Sequence, residues 1–95
     1  MELTVRDDPE HSRYEIRAGD RRLGIAAYTR RGRQWTFTHT EVDSSAEHHG
    51  LGGTLVRGAL DDVRAAGGSI VPRCSFVAGW VQRHPEYQDL VDSAA

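Results

Sequence analysis

Three glycines in four positions, Gly50, Gly52 and Gly53, stand within EHHGLGGT, the stretch from Glu47 to Thr54 that opens the most regular helical periodicity in the chain. Glycine weakens a helix and loses more conformational freedom on folding than any other residue, so a cluster at a helix start implies that something approaches the backbone closely. The chemistry on offer is anion binding. The first N–H groups of a helix have no partner one turn back, and the helix dipole favours negative charge there. A phosphate is the expected guest, against the plainer alternative of a tight turn with no ligand. Two nucleotide templates fail: the chain has no lysine for a P-loop, and glycines at 50, 52 and 53 do not give G-x-G-x-x-G.

Cys74 is the single cysteine, so an internal disulfide is excluded. It is either a packed small residue at a strand end or a thiol with a task. A nucleophilic role needs a thiolate favoured by a helix N-terminus or a cation; Arg73 precedes it and a helix is expected just after. His39 and Glu41 alternate along an expected strand and share a face, with Thr36, Thr38, Thr40 and Val42 on the other. That pair reads as a hydrogen-bonded couple or as a general base. His48 and His49 are neighbours without the spacing of a zinc set, and no cysteine pair completes one, so no metal is expected. Trp35, Trp80, Tyr14 and Tyr28 read as packing residues, and the arginines are scattered along the chain without forming a basic stripe.

The elements that must position these residues follow from hydrophobic period. LTVRD at 3–7 and RYEIRA at 13–18 alternate apolar and polar side chains as half-buried strands do. AGDR supplies a turn into LGIAAYTR at 23–30, and RGR closes a second hairpin into QWTFTHTEV at 34–42, the segment richest in aromatic and β-branched residues. After DSSAE the period changes: Leu51, Leu55, Val56, Ala59, Leu60 and Val63 recur at helical spacing, predicting a helix from Gly52 to Ala66 that Gly67 and Gly68 stop. SIVPRC then reads as a short strand and FVAGWVQRH as a second helix ended near Pro85. The expected fold is α/β, a mixed sheet built from an antiparallel four-strand meander followed by helix–strand–helix, with strands four and five parallel or splayed apart. The opening meander also argues against a dinucleotide-binding βαβ unit.

At 95 residues the expectation is a single domain over residues 1–95, burying roughly two thirds of its unfolded surface. Apolar content of 38%, charged content of 27% and a net charge of −2 describe an ordinary globular protein rather than a nucleic-acid binder. No apolar run approaches the ~20 residues of a membrane span, and MELTVRDDPEH has no signal-peptide character, so a cytoplasmic location and no membrane partner are expected. All twelve basic residues are arginine, which leaves the N-terminal amine as the chain's strong primary-amine nucleophile.

The run VDSSAEHHGLGGTLVRGAL resembles the signature of the GCN5-related N-acetyltransferases (GNAT), in which strand four ends at a valine and a Q/R-x-x-G-x-G/A turn opens the next helix. With HTEV, LVRGALDDVRAAG, IVPRCSFV and RHPEY it is similar to the small single-domain GNAT-like subfamily, over roughly Thr38 to Val91. The resemblance implies an acetyl-CoA-dependent N-acetyltransferase that moves an acetyl group to an amine acceptor, a small molecule or a protein, directly or through an acetyl-cysteine. By the same resemblance Gly50, Leu51, Gly52, Gly53 and Thr54 line the coenzyme A pyrophosphate, and Val42 offers strand backbone to the pantetheine arm. Cys74 stands beside the acetyl thioester and Phe76 flanks the cofactor. Either His39 or Glu41 could take the proton of the incoming ammonium. Two positions depart from the pattern. Glu47 stands where Gln or Arg is usual and would repel the pyrophosphate, while protonated His48 and His49 would compensate, making affinity weaker or pH-dependent. Ser75 replaces a proline expected after the cysteine. The connection between the first two strands is too short for the helices that shape an acceptor pocket in larger relatives, so the acceptor side is expected to be open, in a monomer or weak homodimer. The alternative is a coenzyme A-binding module without catalysis, a sensor or partner-interaction domain.

Overall fold

In the computed structural model, residues 2–43 and 50–92 are described. Four strands run antiparallel in sequence order: β1 (Leu3–Asp8), β2 (Arg13–Ala18), β3 (Arg21–Arg31) and β4 (Gln34–Val42). The two hairpins turn at Gly19 and Gly32, whose φ of 59° and 60° lie in the left-handed region that glycine enters without a Cβ clash. Helix α1 (Leu51–Ala65) then crosses the sheet, β5 (Ser69–Pro72) pairs parallel with β4, and α2 (Ser75–Gln82) and a 3-10 helix (Pro85–Leu90) close the chain. The sheet order is β1-β2-β3-β4-β5, the mixed α/β sheet expected from the periodicity.

Both helices lie on one face of the sheet and share a single core. Leu51, Leu55, Val56, Ala59, Leu60 and Val63 of α1 pack on Tyr14, Ile16, Ala26, Tyr28, Trp35 and Phe37, and Val77, Trp80 and Val81 of α2 join the same cluster. Approach is close enough to require glycine at Gly58, where a Cβ would come within 2.7 Å of the Val5 side chain. Tyr14 and Tyr28 keep their hydroxyls satisfied at the core's edge by donating to Asp62 at 2.6 Å and Asp7 at 2.7 Å. Burial, then those carboxylates, push both phenols above their ordinary range. The 3-10 turn Pro9–His11 is the only regular element between β1 and β2, and among the described residues no helix covers the opposite sheet face.

One irregularity decides the geometry of β4. Tyr28 pairs with Phe37 but Ala27 pairs with His39, so Thr38 is an extra residue in β4. Alternation starting from the buried Trp35 and Phe37 would drive His39 and Glu41 into the core. The bulge inverts the pattern, because a one-residue register change sends every later side chain to the other face. His39 and Glu41 therefore face outward, and Thr40, opposite the buried Ala26, faces the helices. This corrects the simple alternation expected from sequence: Thr36, opposite Thr29, and Thr40 lie on opposite faces. The same bulge ends the contact with β5. Pairing runs from Gln34↔Ser69 to Phe37↔Pro72 and stops; the amides of Arg73 and Cys74 both turn back to the Phe37 carbonyl, at 3.1 and 2.9 Å. The strand thus ends at Pro72 rather than at Cys74, which is the N-cap residue of α2.

Candidate functional site

The parting of β4 and β5 opens a cleft of about 300 Å³ lined by Thr40, Val42, Gly50, Gly52, Gly53 and Phe76. Its first wall is the start of α1. Gly50 is the N-cap with φ 68°, and the first helical bond runs from the Thr54 amide to the Gly50 carbonyl at 3.1 Å. The amides of Leu51, Gly52 and Gly53 come before that bond, so the helix itself gives them no partner, and they and the positive end of the helix dipole can face an anion. The Leu51 side chain is buried in the core, so this residue can serve a ligand only through its backbone. Thr54 is exposed, and its hydroxyl donates to the Gly50 carbonyl at 3.2 Å.

Two of the glycines have a second reason to be glycine. A Cβ on Gly52 would sit 2.5 Å from the Phe76 ring, and one on Gly53 would lie 3.3 Å from Trp80 Nε1. The cluster therefore lets α2 close on the start of α1 as well as baring backbone to the cleft. Phe76, which is 41% exposed, forms the wall opposite β4; among the described residues it is the large hydrophobic side chain most open to solvent.

Cys74, the N-cap of α2, stands beside this cleft, behind Thr40, which lines it. Its Sγ lies 3.3 Å from Thr40 Oγ1, with either group able to donate. Partial burial works to raise the thiol's pKa, but it is outweighed by the Thr40 hydroxyl, by the Val77 and Phe76 amides at the start of α2, and by the Thr40 amide, and the net result lies below the ordinary thiol value. The two α2 amides act as dipoles aimed at the sulfur without making a formal capping bond. The Thr40 amide reaches Cys74 at the place where β5 has left the β4 ladder. Low thiol pKa at a helix N-terminus with partial exposure is the setting of reactive cysteines.

His39 and Glu41 are not part of this cleft. Their side chains pair at 3.4 Å, 59% and 68% exposed, on the outer face. There Glu41 lines a second cleft of about 300 Å³ with Arg22, Leu23, Gly24, Ile25, Val42 and Asp43. Val42 borders both clefts, so one residue of β4 separates the side holding Cys74 from the side holding Glu41. Glu47, His48 and His49 lie outside the described residues. Of the other expected site residues, Val42, Gly50, Gly52, Gly53 and Phe76 come together with Cys74 beside them. The residue that the sequence did not single out is Thr40. Among the described residues, metal-ligand side chains converge only at half-buried Asp8 with exposed Glu10 and His11, on the opposite edge of the sheet, where His11 already pairs with Asp8 at 2.8 Å.

The model of the GCN5-related N-acetyl-transferase family matches residues 13–90. No curated protein matches the chain in sequence. Among solved structures, the NMR solution structure of a GCN5-like candidate N-acetyltransferase from Staphylococcus aureus superposes with a TM-score of 0.72 at 20% identity, over 95% of this chain and 88% of that one. That likeness carries the fold, down to the mixed five-stranded sheet with its helices. With the family model spanning most of the sequence, including the glycine turn, the parted strands and Cys74, the chain belongs to the GCN5-related N-acetyltransferase family.

Proposed function

We propose that this protein is an acetyl-CoA-dependent N-acetyltransferase. The observation that carries the reading is the cleft at the parting of β4 and β5, bordered by the glycine start of α1 and by Thr40, whose hydroxyl meets the Cys74 thiol. Coenzyme A fits those groups. The Leu51, Gly52 and Gly53 amides would hold its pyrophosphate, the β4 backbone from Thr40 to Val42 would pair with the amide-bearing arm, and Phe76 would cover that arm. Bound there, the coenzyme supplies an acetyl group activated as a thioester. The chain's own residues do the rest. Phe76 and Val42 exclude water from the arm, while Glu41, steadied by His39, accepts the proton that an ammonium must lose before its nitrogen can attack. Cys74, with its thiolate favoured by Thr40 and the α2 amides, can take an acetyl group onto sulfur and pass it to the amine.

A second reading has its own observation. Cys74 and the His39–Glu41 pair sit on opposite faces of β4, so no carboxylate or imidazole among the described residues lines the Cys74 cleft. A coenzyme A-binding module without turnover would look the same. Intact-protein mass after incubation with acetyl-CoA, before and after alkaline hydroxylamine, separates these routes, and the lack of lysine keeps the spectrum simple. The acetyl-cysteine route gives one hydroxylamine-labile acetyl adduct, lost in Cys74→Ala. Direct transfer gives no adduct but steady release of free coenzyme A when an amine is supplied. Binding without either would leave the module.

A further inference from the structure

Both helices pack on one side of the sheet, which leaves the other side as a floor of strand residues whose register can be read row by row. One row runs Arg6, Glu15, Ile25, Glu41 from β1 to β4, and the row beside it runs Asp8, Arg13, Ala27, His39. A third places Thr4, Arg17 and Arg22 side by side. Arginines that are scattered along the sequence thus gather on β1, β2 and the start of β3. Four arginines, Arg6, Arg13, Arg17 and Arg22, share this region with two carboxylates, Glu15 and Asp8, the latter 3.9 Å from Arg13, although the chain as a whole carries a net charge of −2. Glu15 is only 4% exposed and is engaged by Arg13 and Arg17 at 2.9 Å each and by Arg22 at 3.8 Å. Two carboxylates leave the cluster with an excess of positive charge. Arg22 remains about half exposed, and Arg6 is exposed with no ion pair among the described residues.

The apolar side chains of Ile25 and Ala27 lie between Glu15 with its β1 and β2 arginines and the His39–Glu41 pair, so an uncharged strip separates a cation-binding end on β4 from an anion-binding end on β2. Neighbouring strands lie about 4.8 Å apart, which puts the two ends about 10 Å from one another. Three residues of extended chain span the same length. We propose that the outer sheet face docks an acidic polypeptide segment across the strands, so that the acceptor is a lysine or N-terminal amine with Asp or Glu about three residues away. The inference rests on the acetyltransferase reading for the role of Glu41. A polypeptide suits the face better than nucleic acid, because Glu15, Glu41 and Asp8 interrupt the arginines and would repel a continuous phosphate backbone.

The test is fluorescence anisotropy with two labelled peptides, one carrying a lysine with Glu three and four residues away and the other with Ser at those positions. Wild type, Arg6→Glu, Arg22→Glu and Arg33→Glu are compared; Arg33 lies in the β3–β4 turn with its guanidinium near Gly67, away from this face. The acidic peptide should bind wild type at least tenfold more tightly than the neutral one and lose about tenfold in Arg6→Glu and in Arg22→Glu, but not in Arg33→Glu. Equal affinity for the two peptides, insensitivity to Arg6→Glu and Arg22→Glu, or equally tight binding of a single-stranded RNA would overturn it. Thermal shift with coenzyme A on the same four proteins tests the parent reading separately: peptide docking without a coenzyme shift would remove the acetyltransferase reading and leave the docking face.

Discussion

At the scale of single residues, the Thr40–Cys74 contact helps to hold a partly buried thiol below its ordinary pKa. A hydrogen bond to the charged form lowers a thiol pKa, whereas burial alone would raise it. Replacing Thr40 by Val keeps the shape and removes the hydroxyl, so burial gains weight and the Cys74 pKa moves up. Since the thiolate is the species that reacts, iodoacetamide should modify Thr40→Val several-fold more slowly at pH 7, with the rate-against-pH curve displaced to higher pH and the same plateau. A curve that superposes on wild type would assign the low pKa to the backbone amides of α2 and of residue 40. Cys74 and the glycines were legible in the sequence because their chemistry is carried by residue type and position. Thr40 was not, since its partner is 34 positions away and its direction depends on one extra residue in β4.

Elements place these residues, and the element-level fold was legible where period or turn chemistry spoke plainly. The meander, α1 and the parallel return of β5 follow from alternation, helical spacing and glycine turns. The bulge at Thr38 left no such mark, because threonine, histidine and glutamate in alternation satisfy a strand on either face. The physical reason for the bulge is the charge that regular pairing would bury: His39 and Glu41 would otherwise follow Trp35 and Phe37 into the core. The reason for Gly58 was hidden for a related cause, since in sequence it is only a weak spot in a helix. In the fold it is where α1 rests on Val5 of β1. Gly58→Ala should therefore run against helix propensity. The gain of about 1 kcal/mol from propensity is opposed by about 1–3 kcal/mol of overpacking, because the Cβ meets the branched Val5 side chain. Thermal denaturation should show a lower Tm than wild type, and the double variant Gly58→Ala with Val5→Ala should recover much of the loss. A raised Tm in the single variant would mean that β1 yields freely and contributes little to holding α1.

For the whole molecule, the coenzyme's proposed path bridges three parts of the chain: the start of α1, the edge of β4 beyond its pairing with β5 and the start of α2. A ligand that bridges them binds the folded chain and not the unfolded one, so it must raise Tm by mass action. At a hundredfold excess over Kd the stabilisation is about 2.7 kcal/mol, which for a chain of this size is a shift of about 10–20 °C. The size of the shift along a series of truncated ligands says which part of the path provides the affinity. Pantetheine retains the arm that would lie along Thr40 to Val42 but lacks the pyrophosphate that the Leu51, Gly52 and Gly53 amides would receive. At equal concentration it should shift Tm far less than coenzyme A, while dephospho-coenzyme A, which keeps the pyrophosphate, should retain most of the effect. Raising the salt concentration should shrink the coenzyme A shift and leave the pantetheine shift nearly unchanged, because only the pyrophosphate contact is charged. Equal shifts from pantetheine and coenzyme A would locate binding in the β4–β5 cleft alone. The glycines at the start of α1 would then owe their presence to Phe76 and Trp80, whose rings leave no room for a Cβ at Gly52 and little at Gly53.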